Sequence, residues 1–356
     1  MIKKRIATLQ NILQNNQAFL IKSPSNRYYL TGFNSSAGSI LITKNAAFLF
    51  IDFRYFEKAK STVTGCEVLL LDKGDKGIFD FCNEQGIKEV FIETDFLSVG
   101  KFKNLSNLFK GIKISNDKIL DTKLYEMRAV KDEYELQFIK QSQELTDKTF
   151  EYILNKIEVG KTEKEIALQM EFFMRSMGAD GIAFDFIVVS GKNSSLPHGV
   201  PTNKKIESGD FVTMDFGARV NGYCSDMTRT IAIGYVSEQQ KAVYDTTLKA
   251  QLAALDTIKA GVLCGDADKT ARDIIYNAGY TGCFGHSLGH SVGIDIHESP
   301  NLSPNSTAVL QNGNVVTVEP GIYLENQFGV RIEDMVYVTD SGCINLTKAT
   351  KELIIL

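Results

Sequence analysis

Tryptophan is absent from this 356-residue chain, proline occurs six times, and histidine only four times. The scarcity of proline beside 28 glycines excludes collagen-like and proline-rich low-complexity classes, and 44% apolar with 23% charged residues is an ordinary folded composition. Neither sign of charge dominates: the net charge is −4 and the isoelectric point near 5.7, which argues against nucleic acid as an electrostatic partner. No run approaches the 18 or so apolar residues that a membrane span requires. The opening segment MIKKRIATLQNILQNNQAFLI lacks the apolar block and small-residue cleavage site of a secretory signal. The six cysteines (Cys66, Cys82, Cys224, Cys264, Cys283, Cys343) form neither a C-x-x-C pair nor a dense framework. They read as reduced thiols, and a cytoplasmic location is expected.

At about 150 residues per domain, the length predicts two domains. The first 120 or so residues alternate strand-like runs (17–22, 39–43, 46–51, EVLLLD, EVFIET) with helix-like stretches, an α/β layout around one sheet. Residues 131–157 carry helical spacing without Gly or Pro, and the boundary is placed just before them, giving domains 1–122 and 123–356. Beyond it, Thr162 and Ser237 stand three residues ahead of Glu165 and Gln240, the capping-box spacing, and open helices ending near Gly178 and Gly261. A further helix is expected over 266–278. Strands are expected over 183–190, 211–217, 223–233, 283–297, 315–319 and 329–338. The order helices, strands, helices, strands suggests two similar halves in one α+β unit.

All four histidines, His198, His286, His290 and His297, lie in the last 160 residues, three of them in GHSLGHSVGIDIHE. The glycines there disfavour a helical His-x-x-x-His site, whereas an extended strand puts His286, Leu288 and His290 on one face. In MDFGARVNGYCSDMTRT, Asn221-Gly222 is a strong hairpin signal. That turn sets Val220 opposite Tyr223 and Gly217 opposite Asp226, so Asp215 lies diagonal to Asp226 on the same face. Two carboxylates facing each other repel unless a cation lies between them. The alternative is a pair of solvated hairpin residues. Glu319 ends the apolar run VVTV, and Glu333 shares a strand face with Arg331 and Met335. A buried glutamate must be paired or coordinated, and an ion pair with Arg331 is the simpler reading of Glu333. Taken together, Asp215, Asp226, Glu319 and Glu333 supply four negative charges and His290 a neutral nitrogen. Two divalent cations would neutralise that set, with Mn²⁺ best suited and Co²⁺, Zn²⁺ or Fe²⁺ compatible.

These residues closely resemble those of the pita-bread metallopeptidases, specifically the Xaa-Pro branch of aminopeptidase P and prolidase. The likeness covers nearly the whole chain. It rests on YYLTGFNSSAGSILIT and IDFRYFEKA in the first domain and on LPHGVPTN, MDFGARVNGYCSDMTRT, GHSLGHSVGIDIHE, VEPGIY and GVRIED in the second. It implies a small, ribonuclease-H-like creatinase-type domain over 1–122 and a pita-bread catalytic domain with pseudo-two-fold halves over 123–356. The implied reaction is hydrolysis of the bond between an amino-terminal residue and a following proline by a metal-bridging hydroxide, with short proline-containing peptides as substrates. Among the metal positions, Asp226 and Glu333 would bridge both ions, Asp215 would hold one, and His290 with Glu319 the other. Glu319 would also shuttle the proton. By position, His198 would contact substrate, His297 would stabilise the oxyanion, and His286 would line the proline pocket. Tyr323 and Arg331 would contact substrate or support the glutamates. A homodimer is expected from the resemblance. Aminopeptidase activity on short peptides is favoured, with Xaa-Pro dipeptidase activity next. Methionine aminopeptidase and a non-catalytic pita-bread binding module are weaker readings, because the amino-terminal domain and the five filled ligand positions speak against them. Without tryptophan, any family contact made by that residue must be replaced here.

Overall fold

The computed structural model describes residues 1–356, which divide into two compact units, Met1–Met127 and Arg128–Leu356. The division falls between Met127 and Arg128, five residues beyond the expected boundary, and both positions lie within one helix, Ile119–Ala129.

In the first unit six strands form one mixed sheet: β1 (Gln17–Ile21), β2 (Ser39–Thr43), β3 (Ala47–Ile51), β4 (Glu67–Leu70), β5 (Glu89–Ile92) and β6 (Lys113–Ser115), ordered β4-β3-β2-β1-β5-β6. The central pairs β1–β2 and β2–β3 are antiparallel and the outer pairs parallel. The inner strands β1, β2 and β3 are apolar on both faces, as a sheet covered by helices requires. Helices α1 (Ile2–Gln10), α2 (Pro24–Thr31), α3 (Phe53–Thr62), α4 (Asp75–Glu84), α5 (Val99–Leu108) and α6 (Ile119–Ala129) alternate with these strands. No separate expectation from the sequence covers α2, α5 or β6.

The second unit runs twice through a helix pair followed by strands. The first pass comprises α7 (Glu133–Leu154), α8 (Glu163–Ser176), β7 (Gly181–Ile182), β8 (Ile187–Ser190), β9 (Phe211–Phe216), β10 (Ala218–Val220), β11 (Tyr223–Cys224) and β12 (Met227–Ala232). The second comprises α9 (Glu238–Thr257), α10 (Cys264–Asn277), β13 (Gly289–Ser291), β14 (Glu298–Leu302), β15 (Val315–Val318), β16 (Gly321–Leu324), β17 (Phe328–Arg331), β18 (Asp334–Val338) and β19 (Cys343–Asn345). Two apolar cores result: Phe150, Met170, Met214 and Ile231 lie in one, and Val243, Phe284 and Val316 in the other, which Phe211 of β9 also enters. Capping boxes at Thr162 and Ser237 form both reciprocal bonds, and Asp132 makes a third at the start of α7.

The hairpin register follows the turn. Asn221 and Gly222 both have positive φ (46° and 76°), the requirement of a two-residue type I′ loop. Val220 pairs with Tyr223, and beyond an interruption Phe216 pairs with Met227 and Asp215 with Thr228. The interruption is a close approach: a Cβ at Gly217 would lie 1.8 Å from the Ser225 carbonyl oxygen. Two expected strands are corrected. Within residues 283–297 only Gly289–Ser291 forms a strand, β13, so His286 lies outside it and does not share a strand face with His290. Residues 329–338 form two strands, β17 and β18, in different sheets, broken at Ile332 and Glu333.

Gly217→Ala is expected to destabilise the second unit by about 1–3 kcal/mol or more, since the obstructing atom is backbone. An unchanged urea midpoint in that variant would show that the hairpin spreads freely.

Candidate metal centre

Five acidic or imidazole side chains reach one cavity of about 740 Å³ from five places in the second unit: Asp215, Asp226, His290, Glu319 and Glu333. Asp215 lies near the end of β9, and Asp226 stands immediately before β12 on the opposing strand. His290 is the central residue of β13, and Glu319 follows β15 directly. Glu333 occupies the break between β17 and β18. That break joins the two passes, because the Glu333 amide donates to the Thr228 carbonyl (3.1 Å) on β12.

The grouping is tightest around Asp226, His290 and Glu333, whose ligand atoms lie within 4.8 Å of one another. His290 Nε2 is 3.4 Å from Asp226 Oδ2 and 3.4 Å from Glu319 Oε1. Asp215 is turned instead to Arg331, with Nη2 2.7 Å from Oδ2. The ion pair anticipated between Arg331 and Glu333 is thus made with Asp215. Glu333 Oε2 instead accepts from the Thr228 hydroxyl (2.6 Å), which itself accepts from Arg331 Nε (3.0 Å). Thr317 Oγ1 donates to Glu319 Oε1 (3.1 Å).

The proton inventory points to cations. His290 Nδ1 lies 3.1 Å from the Ser291 carbonyl, so the ring proton belongs there and Nε2 presents a lone pair. That lone pair faces carboxylate oxygens, an acceptor among acceptors. Burial, together with neighbouring His297, holds His290 down at about 4, so the ring is neutral near pH 7. Asp215, Asp226, Glu319 and Glu333, with Asp185 a fifth carboxylate on the cavity lining, share the pocket with the single guanidinium of Arg331. Burial and then the charges of Glu333, Asp215 and Glu319 push the Asp226 carboxyl well above the usual range. Burial and then Glu319 and Asp215 do the same to Glu333. Glu319 is pushed up to about 8, first by burial and then, against the opposing pull of Arg331, by Asp215. Asp215 Oδ1 is buried with no hydrogen-bond partner. An orphaned carboxylate oxygen, a lone pair aimed at anions and mutually repelling carboxyls together fit an oxygen-rich divalent cation site.

Three further histidines, His198, His286 and His297, line the same cavity, with Arg331 beside them. The His297 ring packs edge-on to His290 with centroids 4.4 Å apart. His286 Nδ1 faces the Ser287 carbonyl (2.8 Å), so its Nε2 accepts from the Tyr323 hydroxyl (2.9 Å), and that hydroxyl accepts from Arg331 Nη1 (2.7 Å). Burial, followed by the charge of Arg331, holds His286 at about 4. Tyr323 does not line the cavity. It connects Arg331 to His286, and burial raises its hydroxyl to about 12. Burial opposes the charge of Arg331, yet Tyr323, Asp215, Glu319 and Glu333 keep its pKa well above the ordinary arginine value. Thr228, Thr317, the Ser291 carbonyl and the apolar wall of Phe184, Ile187 and Ile296 escape the sequence reading. For Thr228 a signal existed, since it lies two residues from Asp226 and therefore on the same strand face. Backbone partners carry none.

Four carboxylates and an imidazole lining one open cavity together with further histidines fit a metal-dependent hydrolase centre. The sequence profile of metallopeptidase family M24 matches residues 137–340, and that of the creatinase/prolidase amino-terminal domain matches residues 5–130. The chain belongs to metallopeptidase family M24, whose members use divalent metal cofactors. It is 39% identical over 340 residues to the Xaa-Pro dipeptidase of Pyrococcus horikoshii, covering 95% of this chain and 94% of that protein. Among solved structures it is similar to the Xaa-Pro dipeptidase from Bacillus anthracis (39% identity, TM-score 0.94, 100% and 99% of the two chains). It is likewise similar to the X-Pro aminopeptidase from Thermotoga maritima (38% identity, TM-score 0.91, 98% and 100%). No helix is long and apolar enough to cross a membrane.

Raised carboxyl pKa values make the folded, cation-free chain bind protons more tightly than the unfolded one. For Glu319, whose ordinary value is 4.5, that contribution to stability is full below pH 4.5 and is lost as pH rises through about 8. The Tm of chelator-treated protein is therefore expected to fall between about pH 6.5 and pH 8.5, above the titration range of the buried histidines. Added Mn²⁺ should raise Tm more at the upper end of that window. A Tm that climbs across it, or a cation-induced shift independent of pH, would contradict the electrostatic reading.

Proposed function

We propose that the chain hydrolyses the peptide bond between an amino-terminal residue and a following proline in short peptides, with two divalent cations, Mn²⁺ best suited. The observation that carries this reading is the His290 Nε2 lone pair facing two carboxylates at the floor of the histidine-ringed cavity. That the similar proteins are Xaa-Pro dipeptidases and an X-Pro aminopeptidase supports the substrate class.

Asp226 and Glu333 would hold both ions, Asp215 one, and His290 with Glu319 the other. Bound there, the cations would supply Lewis acidity toward the scissile carbonyl and lower the pKa of a water. The chain's own groups do the rest. Glu319 accepts the proton of the attacking water and returns it to the proline nitrogen as the C–N bond breaks. His297 donates to the oxygen on which negative charge develops. His286, held neutral and oriented by Tyr323 and Ser287, faces the cavity with the apolar wall of Phe184 and Ile296. Such a surface suits a pyrrolidine ring, whose tertiary amide has no N–H to satisfy. His198, on the loop between β8 and β9, would contact the peptide. Arg331 ties Asp215, Thr228, Tyr323 and the Pro197 carbonyl together and thereby fixes the rim on which His198 sits.

The dipeptidase reading stands beside the aminopeptidase one because similar proteins carry both names, and Ala-Pro against Ala-Pro-Ala and longer peptides separates them. We place the chain in the cytoplasm, in keeping with six unpaired cysteines, and expect a homodimer, to be measured by light scattering.

Asp226→Ala is expected to abolish hydrolysis of Ala-Pro-Ala and to reduce bound Mn²⁺. Normal turnover in that variant would contradict the assignment. His297→Ala should keep its cations while its rate falls by roughly 10²–10³, the usual cost of a lost oxyanion donor.

A further inference from the structure

The His198 segment is a loop with little core of its own. From Gly191 to Thr202 it contains one short 3-10 helix, Gly191–Ser195, and its tip exposes Leu196, His198 and Val200. Both His198 and Val200 line the cavity, so the position of the tip bears directly on the substrate. What closes this loop is a residue outside it that the reaction does not use.

Glu163 is the first residue of α8 and is fully buried. Its Oε1 accepts from the Ser190 amide (2.6 Å), the Ser190 hydroxyl (3.0 Å) and Asn193 Nδ2 (3.1 Å). Its Oε2 accepts from the Thr202 amide (2.9 Å), the Thr202 hydroxyl (2.6 Å) and, more weakly, Asn193 Nδ2 (3.3 Å). One carboxylate thus holds the two ends of the loop, one oxygen to each. The first turn of α8 reinforces the far end, where the Glu163 amide donates to the Lys204 carbonyl (3.1 Å) and the Lys164 amide to the Thr202 carbonyl (3.2 Å). The nearby Lys204 ammonium goes to Asp210 and the Ser190 hydroxyl instead. A buried carboxylate without a salt-bridge partner is costly unless its hydrogen bonds are complete, and here they are. At mid-loop the Pro197 carbonyl, next to His198, accepts from Arg331 Nη1 (3.2 Å). The loop is therefore anchored at both ends by Glu163, at Pro197 by Arg331, and at Ser194, whose hydroxyl accepts from the Gly329 amide (2.9 Å).

We infer that Glu163 is the positioning residue of the His198 loop, acting on the reaction through the placement of His198 and touching neither substrate nor cation. This rests on the peptidase reading of the cavity. Glutamine at 163 has the same size, but its amide NH₂ must face either the Ser190 or the Thr202 N–H, donors that cannot turn away. One end of the loop is then released.

The test uses the full chain. Glu163→Gln is expected to lower kcat/KM for Ala-Pro-Ala by about ten- to a hundred-fold, the scale of an ångström-level displacement. It should bind Mn²⁺ as the parent does and speed amide hydrogen exchange over residues 191–202. Thr202→Val, which keeps the Thr202 amide bond, should show the same changes in smaller measure. In a His198→Ala background, Glu163→Gln should add less than about a two-fold loss, because both act through one group. Unchanged exchange over 191–202, unchanged kcat/KM, or a full additional loss in the His198→Ala background would each overturn the inference. Exchange is read without substrate. A parent chain that hydrolysed no Xaa-Pro peptide would overturn the peptidase reading, and the exchange result would still decide whether Glu163 holds the loop.

Discussion

The structure turns on a concentration of negative charge that burial makes expensive. Asp215, Asp226, Glu319 and Glu333 meet in one pocket against a single guanidinium, and His290 adds a lone pair rather than a proton. Burial first, and then mutual repulsion, raises the proton affinity of three of these carboxyls, so the pocket favours protons or cations. The fixed partners of the other atoms favour cations over further protons. The Ser291 carbonyl takes the only proton of the neutral His290 ring, Thr228 and Thr317 hold one oxygen each on Glu333 and Glu319, and Arg331 occupies Asp215 Oδ2. The inward-facing atoms that remain are acceptors.

The two passes of the catalytic unit divide the work. The first supplies both aspartates from one hairpin, and the second supplies the imidazole from the middle of β13 and both glutamates from just beyond strand ends. They are joined at the centre itself, where the Glu333 amide bonds to Thr228 and the buried Arg229 reaches Asp334 (2.8 Å). Arg331 is the hub of a second layer, touching Asp215, Thr228, Tyr323 and the Pro197 carbonyl, so that one guanidinium ties a site carboxylate to the segment carrying His198. Metallopeptidase family M24 membership accounts for the centre as a whole, and the particular contacts of this chain show how its own residues hold it.

Much of this was legible in the sequence where local rules decide. Asn221-Gly222 dictates a two-residue turn, the turn dictates register, and register brings Asp215 diagonal to Asp226. Capping boxes at Thr162 and Ser237 mark helix starts for the same reason. Where periodicity was asked to speak across a break, it misled. The alternation through 329–338 reads as one strand, yet Ile332 and Glu333 leave the ladder so that Glu333 can face the pocket, and the chain changes sheet. The glycine-rich run before His290 is likewise mostly loop, its conformation set by partners such as Arg272, which donates to the Phe284 and His286 carbonyls. Those partners lie 12 and 14 residues away and leave no local pattern. Glu163 is the extreme case: a glutamate in the first turn of a helix looks like an ordinary dipole partner, and only the fold brings Ser190 and Thr202 to its two oxygens.

The account stands on the claim that these five side chains form one cation site. Isothermal titration of chelator-treated protein with Mn²⁺ at neutral pH, in two buffers of different ionisation enthalpy, tests it most directly. The account predicts about two ions per chain and a net release of protons on binding, because raised carboxyls must give theirs up. A chain that binds no cation, or binds without displacing protons, would contradict it.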